Sequence, residues 1–470
     1  MLYDKKGSGE LDKEKKSSVD EEILHGSIPK VMLKLAVPAI VAQLVNAIYN
    51  LVDRMYIGRI PNVGDVALTG LGITFPIIII ISAFAVLVGL GGAPLASIKL
   101  GEGKKEKAEE LLGNSFFMLL ILGFTLTIVA FIFKDKLLYL FGASDITFPY
   151  ANSYLTVYII GTIFVMLSSG LNTFINSQGF AKMGMITILI GAILNIILDP
   201  IFIFGFKMGI QGAAFATIIS QAISAIWTVS FLKSNKTIIK IKKSCMKLKI
   251  DNIKRILALG LSPFIMQSTE SLVQIAFNTT LLKYGGDAQV GAMTVIISAM
   301  QIFNMPLLGI TQGAQPLIGY NYGAKNFERV KTSVKYSIIA CVSLALVGWS
   351  LAQFAPKILI AIFTDSPELT AIATKGMRIF MAMVFMLGAQ IACQNFFTAI
   401  GKAKISIFLA LLRKIIILIP LVYILPIFLG VNGTFIAEPV ADFLAATTTI
   451  IVFIVQLKKL KKELSEEIVI

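Results

Sequence analysis

Asn195 and Asp199 stand four residues apart in Ile193-Leu-Asn195-Ile-Ile-Leu-Asp199-Pro200, inside an otherwise apolar stretch from Met185 to Phe206. On a helix that spacing puts both side chains on one face. A carboxylate placed in hydrocarbon costs about 2.5–3.5 kcal/mol on insertion scales, so Asp199 is expected to face a wet cavity or a bound cation. A second acid closes a separate pattern. Gln43, Asn46, Tyr49, Asn50 and Asp53 recur at spacings of three and four and make one polar ribbon on an apolar helix. Thr217, Ser220 and Gln221 follow the Gly209–Gly212 turn. Asp53, Asn195, Asp199 and Thr217 together offer carboxylate, amide and hydroxyl oxygens, a donor set suited to a small hard cation. Two neighbouring carboxylates at low dielectric suit one H⁺ equally well. The plain structural alternative for the ribbon is hydrogen bonding between helices.

The second half of the chain is arranged differently. Gln267, Glu270, Ser271, Gln274 and Asn278 again share one helical face, and Glu438-Pro439-Val-Ala-Asp442 sets two acids four residues apart. Arg378, Arg413 and Lys414 are bases that could neutralise these acids. Two readings compete: a buried salt-bridge network that holds the helices together, or acids that attract a cationic substrate. Methionines such as Met266, Met293, Met300 and Met386 fall on possible cavity faces, where a polarisable, adaptable side chain suits varied ligands. They serve equally as packing. Tyr49, Asn50, Gln267, Glu270, Met293, Glu438 and Asp442 are therefore the candidate substrate contacts.

Such residues need helices to hold them in a membrane. The 470 residues are 56% hydrophobic and 15% charged, far below the roughly 25% charge of soluble domains. Spans near the ~20 residues that cross the hydrocarbon are expected at 30–57, 66–98, 111–133, 150–176, 183–206, 209–232, 256–284, 287–319, 333–355, 368–398, 404–429 and 432–457. The eighth could break at Pro306 or Pro316. The net charge of +15 is dispersed in short blocks between spans rather than gathered into a nucleic-acid-binding domain. Lys and Arg crowd the even-numbered gaps and both tails, which places both termini in the cytoplasm of a multi-pass cell-membrane protein. The polar first 28 residues lack the apolar segment of a cleavable signal. Cys245, Cys341 and Cys393 are too scattered to suggest a disulfide or a metal site.

An internal repeat organises the spans. Gly64-Asp65 returns as Gly286-Asp287, Pro94-Leu95 as Pro316-Leu317, Gly101 as Gly323, Gly179 as Gly401 and Lys182 as Lys404, always 222 residues later. Gly209-Ile-Gln-Gly212 matches Gly430-Val-Asn-Gly433, and Pro38 parallels Pro263. Six spans per copy keep the same orientation, so the copies should be related by a pseudo-two-fold axis along the membrane normal, with substrate between them. The expected organisation is an all-α integral membrane protein: a tail at 1–29, a first lobe at 30–232, a basic linker at 233–255, a second lobe at 256–457 and a tail at 458–470. The linker could lie on anionic headgroups or serve as a solvated tether.

No phosphate-binding loop of the form G-x-x-x-x-G-K-[ST] occurs, nor H-E-x-x-H, nor a G-x-S-x-G elbow, nor a span of regularly repeated arginines. An ATP-driven pump, a membrane enzyme and a voltage sensor are set aside on those grounds. An ion-coupled secondary transporter for small molecules remains, expected to act as a monomer and without a resident cofactor. A lipid-linked oligosaccharide flippase of similar topology is the alternative. That reading predicts a strongly cationic central cavity, whereas the candidate faces here carry more acids than bases.

At this point the chain resembles the multidrug and toxic-compound extrusion (MATE) family. The resemblance is carried by Pro38, Tyr49-Asn50-Leu-Val-Asp53 and Tyr56-Ile-Gly58, then Pro94-Leu95, Asn176-Ser-Gln-Gly179, Asn195-Ile-Ile-Leu-Asp199-Pro200 and Gly209-Ile-Gln-Gly212. Glu438-Pro-Val-Ala-Asp442 is similar to the MepA-like branch of bacterial exporters. The family implies two lobes in a V and antiport of organic cations against H⁺ or Na⁺. It implies a first-lobe cation site at Asp53, Asn195, Asp199 and Thr217 with Tyr49 and Asn172 near it, Asn172 as a further substrate contact, and a second-lobe acid at Glu270. The tenth span departs from the sodium-type pattern, offering Gln390, Gln394 and Asn395 but no acid.

Overall fold

The computed structural model describes residues 19–364 and 366–466. A short helix α1 (19–25) precedes α2 (Ile28–Gly58), α3 (Gly64–Gly101), α4 (Lys105–Leu140), α5 (Phe148–Ile160), α6 (Thr162–Ser177), α7 (Ala181–Pro200) and α8 (Gly209–Lys233). The second lobe follows with α9 (Ile250–Gly285), α10 (Asp287–Gly323), α11 (Phe327–Phe354), the short α12 (Pro356–Ile360), α13 (Pro367–Phe380), α14 (Val384–Ala399), α15 (Ala403–Leu411), α16 (Ile419–Leu429) and α17 (Val431–Glu466). Among the described residues ten helical spans are long and apolar enough to cross a membrane singly. Two bent pairs, α5–α6 at 58° and α13–α14 at 50°, make twelve. The bends fall on the fourth and tenth spans, at matching places in the repeat. Pro306 and Pro316 do not break α10, which runs through both.

Proline and glycine placement explains the local irregularities twice over. After Asp199-Pro200 the helix loosens into a π stretch, Ile201–Gly205, because proline has no N–H to continue the ladder. Leu412–Leu418 does the same just ahead of Pro420. The turn glycines Gly179 and Gly401 take φ +87° and +73°, and Gly209 and Gly430 both take +57°. That left-handed region is comfortable only without a Cβ, which is why glycine recurs at those repeat positions.

The lobes interlock. Beyond packing within its own lobe, α3 lies along α9 and α10 lies along α2. Close backbone approach makes this possible: a Cβ on Gly91 would sit 2.1 Å from the Ile256 carbonyl oxygen, and one on Gly313 would sit 2.5 Å from Ala36 Cα. Gln43 of α2 reaches across to Gln312 of α10 at 3.2 Å, and Phe84 meets Phe264 edge-on at 5.0 Å between ring centres. The helix pairs α3–α9 and α10–α2 are counterparts in the two copies, as a pseudo-two-fold axis requires. These contacts belong to the half of the bundle nearer the face where Ile23 and Leu460 share one apolar core, here called the terminal face. Towards the opposite face Ile48 and Leu51 on α2, and Leu272 and Ile275 on α9, are exposed.

The connection between α8 and α9 is held to the first lobe. Gln178 Oε1 accepts hydrogen bonds from Thr237 Oγ1 at 2.7 Å and from the amides of Ile238 and Ile239, both at 2.9 Å. Asn114 donates to the carbonyls of Cys245 and Lys247, both at 3.0 Å, and accepts from the Lys249 amide at 2.8 Å. Ile238, Ile239 and Ile241 are buried. Lys242 pairs with Glu109, whose hydrogen bond raises the Lys242 ammonium above its ordinary value. The linker is thus docked on protein, and its free alternative does not describe this state.

Candidate functional site

The polar ribbon on α2 divides its labour. Gln43 ties the two lobes together, and Asn50, which is exposed, bonds back to the Asn46 carbonyl at 2.7 Å. Gln43 follows the plain reading of hydrogen bonding between helices, whereas Asn50 bonds only within its own helix. Asp53 does neither: it is buried at 8% exposure because α2 packs along α7, and its carboxyl interacts directly with that of Asp199.

Asp199 is fully buried. Asn195, one turn earlier on α7, donates from Nδ2 to Asp199 Oδ1 and to Thr217 Oγ1 on α8, both at 3.3 Å. Asp53, Asn195, Asp199 and Thr217 therefore meet where α2, α7 and α8 converge, as their spacing suggests. Tyr49, half-buried on α2, faces the same two acids. The ion pairs among the described residues leave both acids out, and Arg54, adjacent in the chain, lies instead over the Phe75 ring at 4.5 Å from its centre. Asp53 Oδ1, Asn195 Oδ1 and Asp199 Oδ2 are buried with no hydrogen-bond partner among the described atoms. Buried acceptors without donors are costly, so this cluster is chemically short of a proton or a small cation. Its oxygens fit either one. Only two acids are present, which suits a monovalent ion better than a divalent one.

The site also holds a residue the sequence reading passed over. Tyr154 of α5 is buried, interacts with Thr217 through its hydroxyl and feels the charge of Asp53. It stacks at 6.2 Å on Tyr158, one turn away. Two tyrosines four residues apart in an apolar span were the available signal.

Asn172 lies elsewhere. Its Nδ2 donates to the Gly184 carbonyl at 3.2 Å, near the terminal-face end of α7. Residues 184 and 199 are roughly 22 Å apart along a helix rising 1.5 Å per residue. The short connection 178–180 joins α6 to α7 at that end, so Asn172 does not stand beside the acid pair as the family resemblance implied.

In the second lobe the acids meet bases. Arg413 donates from Nε to Asp442 Oδ1 at 2.9 Å, and from Nη2 to the same oxygen at 2.7 Å and to Glu438 Oε1 at 2.8 Å. Lys414 donates to the Met266 carbonyl at 2.8 Å and pairs with Glu270. The π stretch of Leu412–Leu418 carries both bases inward from adjacent positions. Glu438 and Asp442 are buried, while the Glu270 side chain is 56% exposed. Gln267 is half-buried one turn below Glu270. Met293 is fully buried in the second-lobe core with Phe277 and Met377, and Arg378 is exposed at the end of α13. Of the candidate substrate contacts, Tyr49, Asn50, Gln267 and Glu270 keep surface, and Asn172, Met293, Glu438 and Asp442 do not.

Comparison with known proteins adds three findings. The family model MatE matches residues 38–201 and 263–424, one match in each lobe. Multidrug export protein MepA of Staphylococcus haemolyticus (strain JCSC1435) is 27% identical over 434 residues, spanning 91% of this chain and 95% of that protein. MepA of Staphylococcus aureus (strain NCTC 8325 / PS 47) is 25% identical over 450 residues, spanning 95% and 99%. Among solved structures, that of MATE in the bent conformation superposes with a TM-score of 0.89 at 24% identity, covering 95% of this chain and 99% of the other. The outward-facing conformation of a multidrug resistance MATE family transporter of the MOP superfamily gives 0.87 at 24% identity, covering 94% and 98%. With one family model fitted to each lobe and relatives aligned along nearly the whole length, the chain belongs to the MatE family, on its MepA-like branch.

Proposed function

We propose that this protein is a secondary active multidrug exporter that exchanges lipophilic organic cations for H⁺ or Na⁺ by alternating access. The observation that carries the reading is the buried pair Asp53 and Asp199, held by Asn195 and outside every ion pair among the described residues. Two carboxylates at such depth bind a positive guest strongly when it neutralises them and repel each other when it leaves. Occupancy therefore alters how α2 packs on α7 and α8. Pro38 leaves the carbonyl one turn before it without its usual partner, so α2 bends there at low cost. Bending moves Tyr49 and Asn50 relative to Gln267 and Glu270, which offer rings, amides and one exposed carboxylate to an organic cation. Multidrug export is what the names of the MepA relatives state of those proteins.

The terminal face is the cytoplasmic side in this reading, by the lysine distribution, and the contacts gathered there make the present state the outward-facing one. The protein acts as a monomer in the cell membrane. The deciding experiment is ethidium efflux from proteoliposomes under an imposed H⁺ or Na⁺ gradient. Wild type should transport under one of them, and Asp199→Asn should abolish it while inserting normally. Full transport by the variant refutes the coupling site.

A further inference from the structure

The second-lobe cluster holds five ionisable groups: Glu270 on α9, Arg413 and Lys414 on the π stretch, and Glu438 and Asp442 on α17. These are the charged groups that Glu438 faces from the elements packed around it. Three acids against two bases leave the cluster one positive charge short. The deficit has an address. Both Arg413 bonds to Asp442 fall on Oδ1, while Asp442 Oδ2 is buried in a residue with no exposure and meets no donor among the described atoms. A bare metal ion is disfavoured there, because Arg413 and Lys414 already fill the cluster with fixed positive charge. A proton needs no coordination shell. It sits on Oδ2 and leaves Oδ1 free to keep accepting from Arg413.

We infer that the second lobe carries one exchangeable proton on Asp442, and that an organic cation bound at Glu270 displaces it. The inference rests on the reading that the substrates are cations. With the proton bound, the five groups sum to zero. When an organic cation takes the exposed face of Glu270 and loosens Lys414 from it, the sum becomes +1 unless the Asp442 carboxyl ionises. The O–H bond breaks, the electron pair stays on Oδ2, and the proton passes to water in the cleft beside Glu270. Lys414 acts as the resident stand-in for a substrate cation, and the lobe admits either the guest or the proton. This exchange is separate from the one at Asp53 and Asp199, so each transport cycle has two titrating lobes.

The test uses the full chain in detergent with weak buffer, tetraphenylphosphonium as the probe, and a pH indicator that counts protons released per cation bound. Asp442→Asn should release one proton fewer than wild type, and Glu438→Gln, which also makes the cluster neutral without a proton, should show the same deficit. Asp199→Asn should lose transport yet keep the Asp442-dependent release, which separates the two sites. Unchanged release in Asp442→Asn, or in Glu438→Gln where the first variant does not fold, overturns the inference alone. Absence of any tetraphenylphosphonium binding by wild type overturns it together with the exporter reading.

Discussion

Gly323 on α10 and Ile98 on α3 touch backbone to backbone: a Cβ on Gly323 would lie 2.1 Å from the Ile98 carbonyl oxygen. The repeat supplies the mirror contact, in which a Cβ on Gly101 would lie 2.0 Å from the Tyr320 carbonyl oxygen. The two lobes are closed against each other here with no side chain to spare. Gly323→Ala should therefore push the lobes apart at the terminal face, at an overpacking cost of about 1–3 kcal/mol. In a Cys245→Ser background, a cysteine placed at the fully buried Ser97 should react faster with a maleimide applied to the terminal face. An unchanged labelling rate, with normal thermal stability, would mean the contact is not part of the closure.

How much of this was visible in the chain itself depends on the range of the interaction. The repeat was legible because glycine and proline obey local backbone rules, and those rules survive when the side chains around them diverge. The acid pair was legible because Asn195 and Asp199 lie one turn apart and Asp53 ends a regular ribbon. The bent spans were hidden, since nothing in the hydropathy of 150–176 or 368–398 marks Gly161 or Met381–Met383 as break points. Tyr154 was hidden because its partner Thr217 is distant in sequence. The choice between salt bridges and open acids in the second lobe was also out of reach. It depends on the π stretch that turns Arg413 and Lys414 inward together, and Pro420 marks where the ladder loosens without saying which side chains that turns inward.

That placement makes Arg413 the residue on which the second lobe's stability turns. Arg413→Met leaves the Glu438 carboxylate buried without its counter-charge and Asp442 Oδ1 without its donor, a loss expected to cost about 3–5 kcal/mol. Adding Glu438→Gln and Asp442→Asn to the same chain replaces both acids by neutral amides and should restore most of the thermal midpoint. Thermal unfolding of purified single and triple variants reads this directly. Equal midpoints for both would show that the ion pairs contribute nothing to the fold.

The linker gives a test by proteolysis. Lysines at 236, 240, 242, 243, 247 and 249 should resist trypsin so long as Gln178 accepts its three hydrogen bonds from Thr237, Ile238 and Ile239. Gln178→Ala strands two buried amides, at roughly 1–3 kcal/mol for each donor left unmade. Cleavage between the lobes should then accelerate at least tenfold. Should the variant be cut no faster than wild type, the linker is anchored chiefly by Asn114 and Glu109.

The terminal face also carries a titratable clasp. Arg329 of α11 donates from Nη2 to the carbonyls of Ile23 and Gly26, both at 2.9 Å, and from Nε to Asn321 Oδ1 at 3.0 Å. Asn321 in turn donates to the Ile23 carbonyl at 3.2 Å. Ile23 is buried, and a Cβ on Gly179 of the first lobe would lie 2.7 Å from its Cδ1, so α1 bridges both lobes. Within α1, Asp20 is partly buried beside the Tyr320 hydroxyl. Burial raises its carboxyl above the ordinary 3.8, against the opposing pull of Tyr320 and Lys105. A folded-state value raised above the undocked one means the docked helix binds the proton more tightly. Docking is then strongest below pH 3.8 and weakens as pH rises through the raised value. Asp20→Asn should hold α1 down at every pH, and Arg329→Ala should release it at every pH. Hydrogen exchange of the amides at 19–25 measures both, with protection that declines with pH in wild type. A flat wild-type profile would show that Asp20 keeps one protonation state throughout, and slow exchange in Arg329→Ala would show that apolar packing alone holds the helix.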